Sequence, residues 1–187
     1  QGFRFLLTGS SARKLKRGQA NLLPGRIFIE YLPPLVHWEI KEQFELEKAL
    51  RLGTLPEIYL NSYGEDLLGS YTAGYLREEI QAEALTKDLA AYTRFLDLAA
   101  ELSGHYINYA KIASDSEINK ETVRRYFDIL TDTLIVERIP SYTKTEKRRR
   151  ARQKEKFIFF GMGVRDAILN RHRVDLSQAE LGALFEQ

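Results

Sequence analysis

Apolar positions along the chain change period several times, and each period predicts a different element. Phe3-Arg4-Phe5-Leu6-Leu7-Thr8 is a nearly continuous apolar run that breaks at Gly9-Ser10-Ser11, the pattern of a strand buried on both faces of a parallel sheet. Ala12 to Asn21 reads as a basic helix, Leu22 to Arg26 as a turn, and Ile27 to Leu32 as a second strand stopped by Pro33-Pro34. From Val36 to Leu52 the spacing becomes helical, with Trp38, Phe44, Leu46, Ala49, Leu50 and Leu52 apolar among Glu and Lys, and Gly53 as the stop. Leu55 to Leu60 begins another element, and Leu67 to Arg77 is helical in pattern despite its glycines. Leu85, Leu89, Tyr92, Leu96, Ala99 and Leu102 then form one stripe of a long amphipathic helix, which Leu76 and Ile80 extend backward and Ser103-Gly104-His105 ends.

The next fifty residues follow a more specific order. Tyr109, Ile112 and Ala113 are the inward positions of a short helix, Asp115-Ser116-Glu117 is a turn, and Ile118 is an apolar plug. Asn119 suits the N-cap of a helix from Lys120 to about Thr131, buried through Val123, Leu130 and either Tyr126 or Phe127. Lys120, Glu121, Thr122, Arg124, Arg125 and Asp128 then face outward. Leu134 to Ile139 and Phe157 to Phe160 read as the two strands of a hairpin, followed by a helix from Val164 to about Asn170 and a final amphipathic segment from Asp175 to Glu186. Helix, turn, helix and hairpin in that order predict a winged helix-turn-helix. The expected fold class is α+β and mostly α: part of a nucleotide-binding sheet with a helical lid over residues 1–75, a winged helix over 76–172, and the start of a further domain over 173–187.

Charge sharpens this picture. The formal net charge is only +2, but Lys144 to Lys156 holds eight cations against two carboxylates. The remainder of the chain is therefore slightly acidic, and one basic element on such a body is a footprint for a polyanion; a solvated loop is the other reading. The run falls at the hairpin tip, where Lys147, Arg148, Arg149, Arg150 and Arg152 would meet phosphates. In a helix-turn-helix the second helix enters the major groove, and Lys120, Thr122, Arg124 and Arg125 suit phosphates and guanine edges. Glu121 and Asp128 oppose a phosphate backbone, and a helix-turn-helix is also a packing unit.

Other chemistries find little support. The chain has no cysteine, and His37, His105 and His172 lack the spacing of a metal pair, so no metal site is expected. No apolar run approaches the roughly 20 residues of a membrane span. With no basic-then-apolar leader in these residues, the cytoplasm is the expected compartment. The hydroxyls of Thr8, Ser10 and Ser11 would lie at a strand's carboxyl end, where α/β sheets bind ligands, or serve as ordinary turn and cap groups. The first strand lacks partners: either the chain is a piece of a larger sheet, or this strand pairs with Ile27–Leu32 or with a second copy.

Taken together, Leu6-Leu7-Thr8-Gly9-Ser10-Ser11, Pro24-Gly25-Arg26, Gly53-Thr54-Leu55-Pro56-Glu57, Thr122-Val123-Arg124-Arg125-Tyr126 and Lys156-Phe157-Ile158-Phe159-Phe160 resemble a family of prokaryotic AAA+-type ATPases. Those proteins join a P-loop domain to a winged helix and a C-terminal domain that is often nuclease-like. The resemblance implies that Thr8 and Ser10 are the polar sensor of the γ-phosphate and that Arg26 is a phosphate-facing arginine. It also implies that Gly53 and Pro56 belong to a lid over the nucleotide base. No G-x-x-x-x-G-K-[ST] occurs in the chain, and Gly161 stands where the family usually has an acid. These residues are therefore expected to be a middle piece or a degenerate relative with no catalytic residue of its own. ATP and Mg are expected only with a P-loop part elsewhere. The expected function is duplex-DNA binding by the winged helix; the alternative is a protein-interaction or oligomerisation module.

Overall fold

The computed structural model describes residues 28, 30–76, 88–142, 155–174 and 176–186. Thr8, Ser10 and Arg26, the first expected strand, and the basic residues Lys147, Arg148, Arg149, Arg150 and Arg152 lie outside the described residues.

Short helices dominate the first half. These are α1 (His37–Ile40), a 3-10 turn (Lys41–Gln43), α2 (Leu46–Leu52), α3 (Pro56–Tyr59) and α4 (Gly64–Ser70), which passes into a π-helical turn over Tyr71–Leu76. The single helix expected over 36–52 is thus broken. Lys41 takes a positive φ of 56°, which a helix cannot continue through, and Trp38 and Leu46 are exposed rather than buried. Tyr59, almost fully buried, holds the break from beneath: its hydroxyl accepts from the Glu45 N–H at 2.6 Å and donates to the Gln43 carbonyl at 3.1 Å. Gly53 ends α2 at φ 72°, a conformation that costs glycine little, and Pro56 starts α3 at its first position. The expected second strand is not found at residues 28 and 30–32; Phe28 and Leu32 are 92% and 100% exposed.

The second half is built on α5 (Leu89–Glu101), α6 (Tyr109–Asp115) and α7 (Lys120–Asp132). Each begins at a short polar side chain that accepts a first-turn amide. Asp88 takes the Ala91 N–H at 2.9 Å, Asn108 the Lys111 N–H at 3.1 Å and Asn119 the Thr122 N–H at 2.7 Å. The buried face of α5 comprises Ala91, Tyr92, Phe95, Leu96, Ala99 and Ala100. Leu89, expected in the stripe, is exposed, because Asp88 caps the helix just before it and Leu89 lies at its open first turn. Both Tyr126 and Phe127 are buried on α7, together with Val123, Ile129 and Leu130.

β1 (Val136–Pro140) and β2 (Glu155–Phe159) pair antiparallel, with Val136 opposite Phe159 and Pro140 opposite Glu155. The first strand starts two residues later than its apolar run. Leu134, at φ 62°, belongs to the turn out of α7. A third extended segment lies along the other edge of β2. Gly104 N–H donates to the Phe157 carbonyl at 2.7 Å, Ile107 N–H to the Glu155 carbonyl at 2.8 Å, and Tyr106 bridges Lys156. The molecule is thus mostly helical with a small antiparallel sheet. α8 (Met162–Ile168) and α9 (Gln178–Phe185) complete it, α8 starting and ending two residues before its expected span.

One core joins the two halves. Leu52, Ile58 and Leu68 belong to the same buried cluster as Phe95, Phe127, Phe157 and Ile168. Its centre is aromatic: Phe127 packs against Phe95 at 5.2 Å and Phe157 at 4.9 Å, and Phe95 in turn against Tyr126 at 5.2 Å.

Candidate nucleic-acid interface

The site is built on α7 because its Asn119 cap and its apolar face leave one strip outward. Lys120, Glu121, Arg124, Arg125 and Asp128 are exposed, whereas Thr122 is half-buried at the edge of the packed face. Of the four residues expected on the DNA side of this helix, three therefore stand on the strip and Thr122 stands beside it.

The two carboxylates of the strip are each held by an arginine. Glu121 Oε1 accepts from Arg124 Nη1 at 2.8 Å, one helical turn along. Asp128 Oδ1 accepts from Arg138 Nη2 at 2.7 Å, and Arg138 belongs to β1. Neither acid is thus a bare charge towards a polyanion. Lys120 and Arg125 make no ion pair among the described residues. Arg124 also lies over the ring of Tyr109, 5.4 Å from its centre, and Arg138 over Phe127 at 5.8 Å. Tyr109 itself packs edge-on against Phe127. Burial, with Glu155 and Asp128, pushes its hydroxyl above the ordinary tyrosine value against the opposing pull of Arg138 and Arg124.

The Asp128–Arg138 pair joins the helix to the hairpin, so the strip of α7 and the root of the hairpin form one surface. Lys156, opposite Ile139, lies over Tyr106 at 5.6 Å and adds a cation at the other edge. Arg138 had no prior signal beyond its place in an apolar strand, and its partnership depends on the register of β1 against α7. The extended segment at 104–107 was equally unannounced: Tyr106-Ile107 is too short to show a period.

Gly53 lies against the start of α8, while Pro56 opens α3; the nucleotide-sensing candidates Thr8, Ser10 and Arg26 lie outside the described residues. A side chain on Gly53 would stand 3.5 Å from the Gly163 amide nitrogen. Among the described residues no group of three or more His, Asp or Glu is placed to hold a metal ion, and no helix is long and apolar enough to cross a membrane. An open, polar recess of about 600 Å³ lies between α2 and α4, lined by Lys48, Arg51, Arg173 and four carboxylates including Glu65 and Asp66. Arg51 binds Glu65 at 2.7 Å and Arg173 binds Asp66, so both of its arginines are paired.

A family model described as "Domain of unknown function (DUF8612)" matches residues 43–175. Uncharacterized proteins of Mycobacterium bovis and Mycobacterium tuberculosis are each 26% identical to the chain over 151 residues. The aligned part is 79% of this chain and 34% of each relative, so the chain spans about a third of the length of the curated relatives it matches. No solved structure matches significantly.

Proposed function

The chain belongs to the DUF8612 family, and we propose that its part from about residue 76 to 172 is a winged helix-turn-helix that binds duplex DNA. The observation that carries the reading is the Asp128–Arg138 bridge, which makes the exposed strip of α7 and the hairpin a single face. In the sequence, the residues between β1 and β2 include Lys147, Arg148, Arg149, Arg150 and Arg152, the strongest run of positive charge in the chain, and in this reading they supply phosphate contacts. The segment at 104–107 supports the same reading, since its hydrogen bonds to the free edge of β2 steady the hairpin beside the helices.

In this reading α7 enters the major groove and the basic connection tracks the adjacent phosphates. Within a longer protein, the module would be the output part of an AAA+-type ATPase, with Thr8, Ser10 and Arg26 facing nucleotide. The 187 residues hold no P-loop motif, so ATP and Mg would depend on residues outside them and no hydrolysis is assigned to this chain.

Duplex-DNA binding measured across a salt titration tests the proposal. Affinity should fall steeply with salt, and replacing Arg148, Arg149 and Arg150 with Ala should flatten the log–log slope by about 2–3. No binding at about 50 mM salt, where phosphate contacts are strong, overturns it. A second reading, a protein-interaction or oligomerisation module, draws on the exposed Phe28, Tyr31, Leu32 and Trp38. It predicts concentration-dependent self-association or partner capture that is insensitive to those three arginine substitutions.

A further inference from the structure

The exposed strip of α7 has an internal order. At about 100° of rotation per residue, Lys120 and Arg125 fall at opposite edges of the strip, roughly 140° apart, with Arg124, Asp128 and Glu121 between them. The edges carry the two cations that have no ion pair among the described residues. The centre carries arginine–carboxylate pairs, Arg124 with Glu121 at 2.8 Å and Asp128 with Arg138 at 2.7 Å. A uniformly basic strip would be a phosphate binder without sequence preference. Positive edges around a neutral, hydrogen-bonding centre instead match the cross-section of a major groove, with a phosphate backbone on each side and base edges at its floor.

We infer that α7 divides the work of recognition: Lys120 and Arg125 hold the two phosphate backbones, while Arg124 and Glu121 read base edges and select a G·C-containing site. This rests on the DNA-binding reading above. Arg124 offers a planar fork that matches guanine O6 and N7, and a carboxylate such as Glu121 accepts from the cytosine N4 amine. Their geometry is set in advance. Arg124 lies over the Tyr109 ring at 5.4 Å, which limits the rotamers it must give up on binding. An exposed pair of this kind is weakly held, so exchanging the carboxylate for a guanine edge meets little resistance. Asp128 is left out of the reading set because its partner Arg138 comes from β1 and is itself mostly buried, so that pair is tied to the hairpin where the Arg124–Glu121 pair is exposed.

The test is selection from a pool of random duplexes by the wild-type chain and by Arg124→Lys, Glu121→Gln, Lys120→Ala and Arg125→Ala, with a salt titration of each. All four positions are exposed, and circular dichroism of each variant checks that it is folded. Wild type should enrich adjacent G·C pairs. Arg124→Lys keeps the charge but loses the fork, so it should lose about tenfold or more in preference with its salt slope intact. Glu121→Gln should relax the choice at the neighbouring pair. Lys120→Ala and Arg125→Ala should weaken binding to every sequence and lower the slope by about 0.9 each, leaving preference unchanged. Wild-type binding without base preference, or an Arg124→Lys pool identical to the wild-type pool, overturns the inference and leaves the DNA-binding reading standing. A changed preference on Lys120→Ala or Arg125→Ala overturns the division of labour. No duplex binding by wild type overturns both.

Discussion

His172 and Asp166 are titratable groups that the fold pushes away from their ordinary behaviour, in opposite directions. His172 has Nδ1 buried without a hydrogen-bond partner, and its Nε2 faces Gly69 of α4. Burial and the neighbouring Arg173 lower its pKa from 6.5, and Glu65 opposes them weakly. The unfolded chain therefore binds a proton that the folded chain refuses. The stability linked to His172 is complete above pH 6.5 and is lost as pH falls from there through the folded value. Asp166, buried on α8, is raised from 3.8 chiefly by burial, with Arg165 and Arg171 opposing and Glu180 adding. Here the folded chain keeps a proton longer, so stability declines as pH rises from 3.8 through the folded value. Thermal melts from about pH 4 to 7 should separate the two: His172→Gln should remove the loss of stability on acidification below 6.5, and Asp166→Asn should remove the decline on its own rising limb.

At the scale of elements, α2 and the start of α8 approach too closely for a side chain between them. A Cβ added to Gly163 would stand 2.0 Å from the Leu52 carbonyl oxygen and 2.2 Å from its carbon, and both atoms are backbone. Gly53, next along the chain, lies against the same Met162–Gly163 backbone. This is what fixes the first-half helices to the helix that follows the hairpin. Gly163→Ala cannot be absorbed by a rotamer change and should cost about 1–3 kcal/mol in urea unfolding, with α2 and α8 forced apart. The same substitution should leave the α6–α7 turn untouched, because Asn119 and Asn108 cap those helices locally.

For the whole molecule, the shared core sets the unit of cooperativity. Leu68 on α4 is fully buried in the same cluster as Phe127 on α7, although they are far apart in the sequence. Leu68→Ala should cost about 2–5 kcal/mol and shift one cooperative transition rather than release the first half separately. Two resolved transitions in the variant, only one of them shifted, would show that the first-half helices and the α5–β2 unit fold independently.

The helices and hairpin from Asn108 to Ile168 were determined by sequence alone to within a few residues, because their signals are local. Asparagine caps compete for first-turn amides, apolar residues recur at helical spacing, and Phe157-Ile158-Phe159 has no other place to go than a sheet. The turn at Ser116-Glu117 and the outward strip of α7 follow from the same periodicity. Tertiary structure alone decided the rest. The break at Lys41 depends on Tyr59 reaching two carbonyls and an amide from another helix. The pairing of Gly104–Ile107 with β2 depends on hydrogen bonds between segments some fifty residues apart. The neutralisation of Asp128 depends on which residue of β1 arrives beside it. Pairings between distant segments leave no period in the chain, and on α7 such a pairing turned an acid expected to repel DNA into the strut that joins helix to hairpin.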